Sequence, residues 1–272
     1  MGGLGNQMFQ YALGRSLSVD HDVRYNVSWL DAAQDRCYLL NTLGLNPPVT
    51  RGGSGPILYE GSLRFQPYIL SVDNVTLFGY WQCERYFERV QDGIRNDVFH
   101  GIPLSDATQA IAEKIRAAGE RSVFIHVRRS DNLVPSKVAF HGLLGMDYFM
   151  MAITAMRNHV EGASFFVFSD DPVWCKTAFP QEFTVVDCNP MSGTVDVSGS
   201  VTKRPNGREV EDLYLMSLCH HAIIANSSFS WWGAWLNNQQ DNRLVIAPKT
   251  WFAVGPHIAD STDITPERWV KI

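Results

Sequence analysis

His126-Val127-Arg128-Arg129-Ser130-Asp131 puts an imidazole, two guanidiniums and a carboxylate within six residues, directly after the apolar run Ser122-Val123-Phe124-Ile125. β-Compatible residues that end in a charge cluster predict a buried parallel strand opening at a ligand crevice. Arginine holds phosphate oxygens with two parallel hydrogen bonds and stays charged at physiological pH. Such a cluster suits a diphosphate; a strand-end Arg–Asp ion pair is the competing structural explanation.

Three further segments have matching chemistry. Gly2-Gly3-Leu4-Gly5-Asn6-Gln7 reads as a glycine-rich loop entering a helix from Met8 to about Ser18. Its backbone can approach an anion at the helix N-terminus, with Gly5, Asn6 and Gln7 as donor-site candidates, or simply make a tight turn. Ala222-Ile223-Ile224-Ala225 predicts a second buried strand, leading through Asn226-Ser227-Ser228 into the helix that begins Phe229-Ser230-Trp231-Trp232. Ser227 or Ser228 can cap that helix while the turn's N–H groups face a phosphate. Phe166-Val167-Phe168 ends in Ser169-Asp170-Asp171, whose carboxylates are expected to cap the helix continuing through Pro172. Trp231, Trp232 and Trp235 recur at helical spacing and read as core. Tyr80, Trp81 and Gln82, at a predicted strand end, can stack an acceptor sugar.

The segments HVRRSD, GGLGNQMFQYALGR, FSDDPVWC and EDLYLMSLCHHAIIANSSFSWWGAWL together resemble the bacterial-type α-1,2-fucosyltransferase family, in the family's order and from Gly2 to about Leu236. The resemblance implies transfer of L-fucose from GDP-β-L-fucose to the 2-hydroxyl of a galactoside. It implies a GT-B-like fold of two Rossmann-type domains facing a cleft, the N-terminal one smaller and less regular. Arg128 is then the β-phosphate contact, His126 a base contact, and Asp212 the carboxylate that accepts from guanine N1–H and the 2-amino group. An acid in the first turn of a helix, complementing its dipole, is the alternative for Asp212. Inversion of the anomeric centre needs one general base, for which Asp131 and His141 are the candidates, or late proton loss with no dedicated base. Fixed arginine and helix N-termini can replace a divalent ion, so no metal and no cofactor is expected. Arg129, facing opposite to Arg128 along the strand, is expected to orient Asp131 or support the loop. Departures from the family pattern are Ser130 in place of glycine, Asn132 in place of an aromatic, and only Met1 before a glycine loop that a Rossmann unit precedes with a strand.

These residues need two α/β domains to position them. Helix and strand signals alternate along 272 residues, which predicts parallel sheets. The expected division is residues 1–119, on the acceptor side, and 120–272, binding GDP-fucose. Pro47 to Gly61 reads as a loop, 77–81 as a strand, Glu84–Val90 as a helix, and 105–118 as a helix capped by Ser105. The second half alternates strands at 122–127, 164–168, 183–187, 222–225 and 243–247 with helices at 147–159, 172–178, 209–220 and 228–237, with a polar loop at 189–208. A net charge of −5 argues against nucleic acid. Five scattered cysteines with no Cys-x-x-Cys pair suggest neither zinc nor a disulfide framework. No apolar run reaches the ~18 residues of a membrane span, and no signal peptide is evident. The expected location is the cytoplasm, at the inner face of a membrane where glycans are assembled. The partners are then GDP-L-fucose and a galactose-terminated glycan. A GDP-sugar transferase with another acceptor or linkage, and an inactive sugar-nucleotide-binding scaffold, are the competing functions.

Overall fold

The computed structural model describes residues 1–272 apart from 34–35, 54, 130–134, 189–208, 238–240 and 256–258, and apart from the side chains of 135–137. Its contacts divide the chain into one unit of Met1–Ile102 with Pro256–Pro266 and a second of Pro103–Gly255 with Glu267–Ile272. The division therefore follows Ile102 rather than residue 119, and a C-terminal segment returns to the first unit.

The second unit is a doubly wound sheet. Its elements are α4 (Asp106–Ala118), β5 (Ser122–Val127), α5 (Pro135–His141), α6 (Met146–His159), β6 (Ser164–Ser169), α7 (Pro172–Ala178) and β7 (Thr184–Val186), followed by α8 (Glu209–Leu218), β8 (His221–Ile223), α9 (Ser228–Leu236), β9 (Val245–Ala247) and β10 (Val270–Lys271). The strands lie in the order β10-β9-β8-β5-β6-β7, and every pairing is parallel. Counted from β5 this is the 3-2-1-4-5-6 order of a nucleotide-binding sheet, with its switch point between β5 and β8.

Burial on both faces explains why β5 reads as an unbroken apolar run: all its residues are buried. Val123, Ile125 and Val127 pack with Phe149, Ile153 and Met156 of α6, while Phe124 meets Phe168 edge-on at 6.3 Å. The Tyr148 hydroxyl donates to Ile224 O at 2.7 Å and ties α6 to the end of β8. Trp231, Trp232 and Trp235 are buried, as expected of a core helix. At Gly233 a Cβ would lie 2.9 Å from Met216 Cβ, so glycine lets α9 approach α8. Ser105 caps α4, accepting from Thr108 N–H. α5 and β10 were not foreseen, and the expected loop 189–208 lies outside the described residues.

The first unit holds α1 (Leu4–Leu17), β1 (Tyr25–Asn26), α2 (Ser28–Ala32), β2 (Val49–Thr50), β3 (Ile57–Tyr59), β4 (Thr76–Phe78) and α3 (Gln91–Asp97). Its strands form two parallel ribbons, β1–β2 and β3–β4. That is less sheet than the Rossmann-type domain expected there, among the described residues. Two of these strands fall in the Pro/Gly-rich stretch read as loop, and Glu84–Val90 forms two 3-10 turns instead of an α-helix. α1 starts at Leu4, so Gly5, Asn6 and Gln7 belong to its first turn and not to a preceding loop.

Candidate functional site

In the second unit the switch point gathers several of the predicted residues. His126, the penultimate residue of β5, is buried at 6% exposure. Its ring lies 5.7 Å from that of Phe229, the second residue of α9. Burial, and then the charge of Arg128, push its pKa down to about 3, so the imidazole is neutral at physiological pH. Its Nδ1 is buried without a hydrogen-bond partner among the described residues, an arrangement that costs free energy unless a ligand or water completes it. Arg128, the residue after β5, is half-buried.

Across the switch point, Ser227 caps α9. Its Oγ accepts from Phe229 N–H at 3.3 Å, and its carbonyl from Trp231 N–H at 3.0 Å. Ser228 is the first helical residue and is half-buried. The turn thus presents a helix N-terminus, a favourable environment for an anion, beside the arginine strand. Asn226 serves the scaffold: its Nδ2 donates to His141 O at 2.7 Å and to Trp251 O at 3.2 Å. Those bonds commit the Asn226 Nδ2 to the scaffold. The same bonds bring His141 to the switch point, with its ring 5.6 Å from that of Phe252. Asp131 lies outside the described residues.

The Arg129 guanidinium stacks over Trp174 at 3.8 Å and its Nε lies 3.5 Å from Asp171 Oδ2. Its backbone N–H donates to Asp170 Oδ1 at 2.8 Å. Asp171 also caps α7, accepting from Trp174 N–H at 3.1 Å. Asp171 thus caps α7 as read from the sequence, whereas Asp170, expected to cap as well, accepts from the backbone just past β5. Arg129 is a loop support tied to Asp171; the aromatic shelf in Trp174 was missed, although Trp174 lies within the motif that pointed to the family.

α8 carries an acidic first turn of Glu209, Glu211 and Asp212. Glu211 is buried and accepts from Ser105 N–H at 3.0 Å and Ser105 Oγ–H at 2.7 Å, joining α8 to the cap of α4. Asp212 is half-buried, and its charge helps raise the Cys188 thiol pKa after burial, so it sits near Cys188 just past β7. A helix returning between parallel strands starts at their carboxyl edge. Asp212 is therefore on the edge of the sheet that carries His126.

In the first unit, Asn6 and Gln82 meet directly: Gln82 Nε2 donates to Asn6 Oδ1 at 2.7 Å. Gln7 is a buried staple and not a donor contact. Its Nε2 donates to Gly2 O at 3.0 Å and Cys37 O at 2.8 Å, and its Oε1 accepts from Leu39 N–H at 2.9 Å. Gly5 is buried in the first turn of α1, where only its backbone could meet an anion. Trp81 is 2% exposed and packs edge-on against Tyr86 at 5.9 Å, so the expected stacking platform is a core residue. Gln82 is buried too, its amide turned to Asn6. Of the three, Tyr80 alone is half-buried and not fully buried. Trp81 has φ of +58°, a left-handed conformation that costs an aromatic residue about 1–3 kcal/mol.

The profile of Glycosyl transferase family 11 matches residues 63–272. An α-1,2-colitosyltransferase of Escherichia coli is 34% identical, over 100% of this chain and 96% of its own. An Escherichia coli O-antigen biosynthesis glycosyltransferase is 28% identical over 100% and 98%. Galactoside α-(1,2)-fucosyltransferase 1 of Oryctolagus cuniculus is 26% identical over 86% of this chain and 62% of its own. The arginine strand, the serine-capped helix and their parallel sheet thus occur in a chain that belongs to glycosyl transferase family 11, and it is a glycosyltransferase.

Proposed function

We propose that the chain is an inverting transferase moving a 6-deoxyhexose, L-fucose in the first instance, from its GDP-β-L-sugar to the 2-hydroxyl of a galactoside without a divalent metal. A GT-B-like fold is part of that proposal, with the Rossmann-type sheet in the second unit. Its main support is the switch point itself, where Arg128 follows β5 and the N-terminus of α9 follows β8. In this reading the acceptor oxygen attacks the anomeric carbon opposite the diphosphate. The bond to the β-phosphate breaks with its electron pair leaving on GDP, and the β-linked donor gives an α-linked product. Arg128 and the first-turn N–H groups of α9 stabilise the charge that develops on the leaving diphosphate. His126, neutral beside Arg128, offers Nδ1 to the nucleotide without adding charge. Asp212 takes the guanine. The acceptor proton goes to His141 or Asp131, or is lost late to solvent.

The 34% identity to an α-1,2-colitosyltransferase favours a second donor. Colitose is fucose without its 3-hydroxyl, so one diphosphate site serves either sugar. A site built to hydrogen-bond that hydroxyl rejects the deoxy sugar strongly, whereas an apolar one discriminates weakly. Among the described residues no helix is long and apolar enough to cross a membrane. The proposed setting is the cytoplasm, where the donor would be met, with a galactose-terminated glycan as partner.

The test is GDP release from GDP-fucose and GDP-colitose, with and without lactose and EDTA. Release that requires the galactoside and persists in EDTA is expected. Loss in EDTA with rescue by Mn²⁺ overturns the metal-free reading, and GDP binding without turnover on any galactoside assigns a binding scaffold.

A further inference from the structure

The first unit contains a carboxylate that the mechanism above does not use. Glu60 follows β3 directly, and its N–H donates to Phe78 O at 2.9 Å, carrying the β3–β4 pairing one residue further. Its side chain then holds the segment beyond β4: Oε2 accepts from Tyr80 N–H at 2.7 Å and Oε1 from Trp81 N–H at 2.9 Å. Successive backbone N–H groups converging on one anion form a nest, here filled by a side chain of the same unit. Trp81 adopts its left-handed φ at that nest, a conformation an aromatic residue holds only where its surroundings impose it. Gly79 leaves room for the carboxylate, because a Cβ there would lie 2.5 Å from Glu60 Cβ and 2.9 Å from Trp81 Cε2. On the far side, Gln82 is bonded to Asn6 at the start of α1.

Tyr80 is therefore fixed from both directions, while its ring stays half-buried and not sunk in the core. Burial and then the nearby Glu60 charge raise the phenol pKa, against the opposing charge of Arg36. Glu60 thus lies close to the ring as well as to its backbone.

We propose that Glu60 is a positioning residue for the acceptor: its carboxylate sets the Tyr80 ring as the face on which the galactoside stacks, without touching the sugar itself. The inference rests on the galactoside-transfer reading. In E60Q an amide NH₂ replaces one acceptor oxygen and confronts a backbone N–H, so one arm of the clamp is lost. The galactoside KM should rise by about three- to tenfold, comparable to losing a ring contact. The kcat at saturating galactoside and the calorimetric affinity for GDP should stay within about twofold. Hydrogen exchange at residues 80 and 81 should accelerate. Y80A should reproduce the KM increase. If E60Q does not fold, E60D, which withdraws the carboxylate by one methylene, should show the same split. An unchanged galactoside KM overturns the proposal, as does a KM increase matched by lost GDP affinity and a lower melting temperature. Saturation-transfer NMR of galactoside binding reads the effect without turnover. An inactive wild type that still binds galactoside more tightly than E60Q removes transfer but keeps the Glu60 role; an active wild type matched by E60Q removes the Glu60 role alone. A wild type that binds no galactoside removes both.

Discussion

Replacing Arg129 by alanine separates a loop support from a phosphate ligand. The Arg129 guanidinium lies 3.8 Å above Trp174 and is 21% exposed, and its ion pair with Asp171, 33% exposed, spans 3.5 Å. A partly desolvated cation–π contact contributes about 1 kcal/mol. The partly screened ion pair adds about 0.5 kcal/mol, and the aliphatic stem covering the indole about as much again. The expected loss is therefore about 2 kcal/mol. In a cooperative unit of this size that lowers the melting temperature by about 4–8 °C. The Asp171 cap on Trp174 N–H and the backbone bond from Arg129 to Asp170 survive the substitution, so the loop should keep its path. Thermal melts and calorimetric GDP titration on the same protein give both readings. A lowered melting temperature with GDP affinity within about twofold is expected. An unchanged melting temperature with a tenfold or greater loss of GDP affinity would refute the assignment and put Arg129 in the phosphate site.

The neighbouring arginine should behave oppositely: Arg128→Lys keeps the charge but loses the two-pronged donor, so kcat/KM should fall at least about a hundredfold with little change in melting. Near-normal rates would remove Arg128 from the diphosphate. Asp212→Asn should weaken GDP binding by about 1–3 kcal/mol, because the amide leaves a guanine donor poorly paired. Unchanged GDP affinity with a lower melting temperature assigns Asp212 to the helix start. His126 should make the fold acid-sensitive. Its folded pKa, about 3, lies below the ordinary 6.5, so between those values the unfolded chain holds the extra proton. The stability this neutral histidine supplies above pH 6.5 is lost as pH falls toward 3, about 2 kcal/mol of it by pH 5. Denaturant midpoints at pH 7 and pH 5 should show a smaller drop in His126→Asn than in the wild type; equal drops would contradict the burial argument.

The sheet of the second unit was legible because parallel strands covered on both faces appear as continuous apolar runs, and because Ser105, Asp171-Pro172 and Ser227 mark helix starts by local chemistry. β10 escaped: two exposed residues paired to β9 have no hydrophobic pattern. In the first unit β4 overlaps the strand expected at 77–81, whereas β1, β2 and β3 escaped, since strands of two or three residues, two of them amid proline and glycine, depend on long-range pairing. The start of α1 was misjudged because Gly3 and Gly5 read as loop, although a helix N-terminus tolerates both. At the site, residue types pointed to the right places but not always to the right roles. Trp81 and Gln82 read as sugar contacts because a strand end is usually open; Tyr86, a short way along the chain, packs on Trp81, and Asn6, distant in sequence, takes the Gln82 amide. Asn226 sits beside a capping serine, and only the fold shows that its amide holds the carbonyls of His141 and Trp251. Glu60 gave no local signal, because its partners are the backbone N–H groups of Tyr80 and Trp81, twenty and more residues on.

The most direct test of the transfer reaction is NMR determination of the linkage formed from GDP-fucose or GDP-colitose on a small panel of galactosides. A single α-anomeric product joined to the galactose 2-hydroxyl is expected. A β-anomer, a different linkage position, or hydrolysis of the donor without transfer would contradict it.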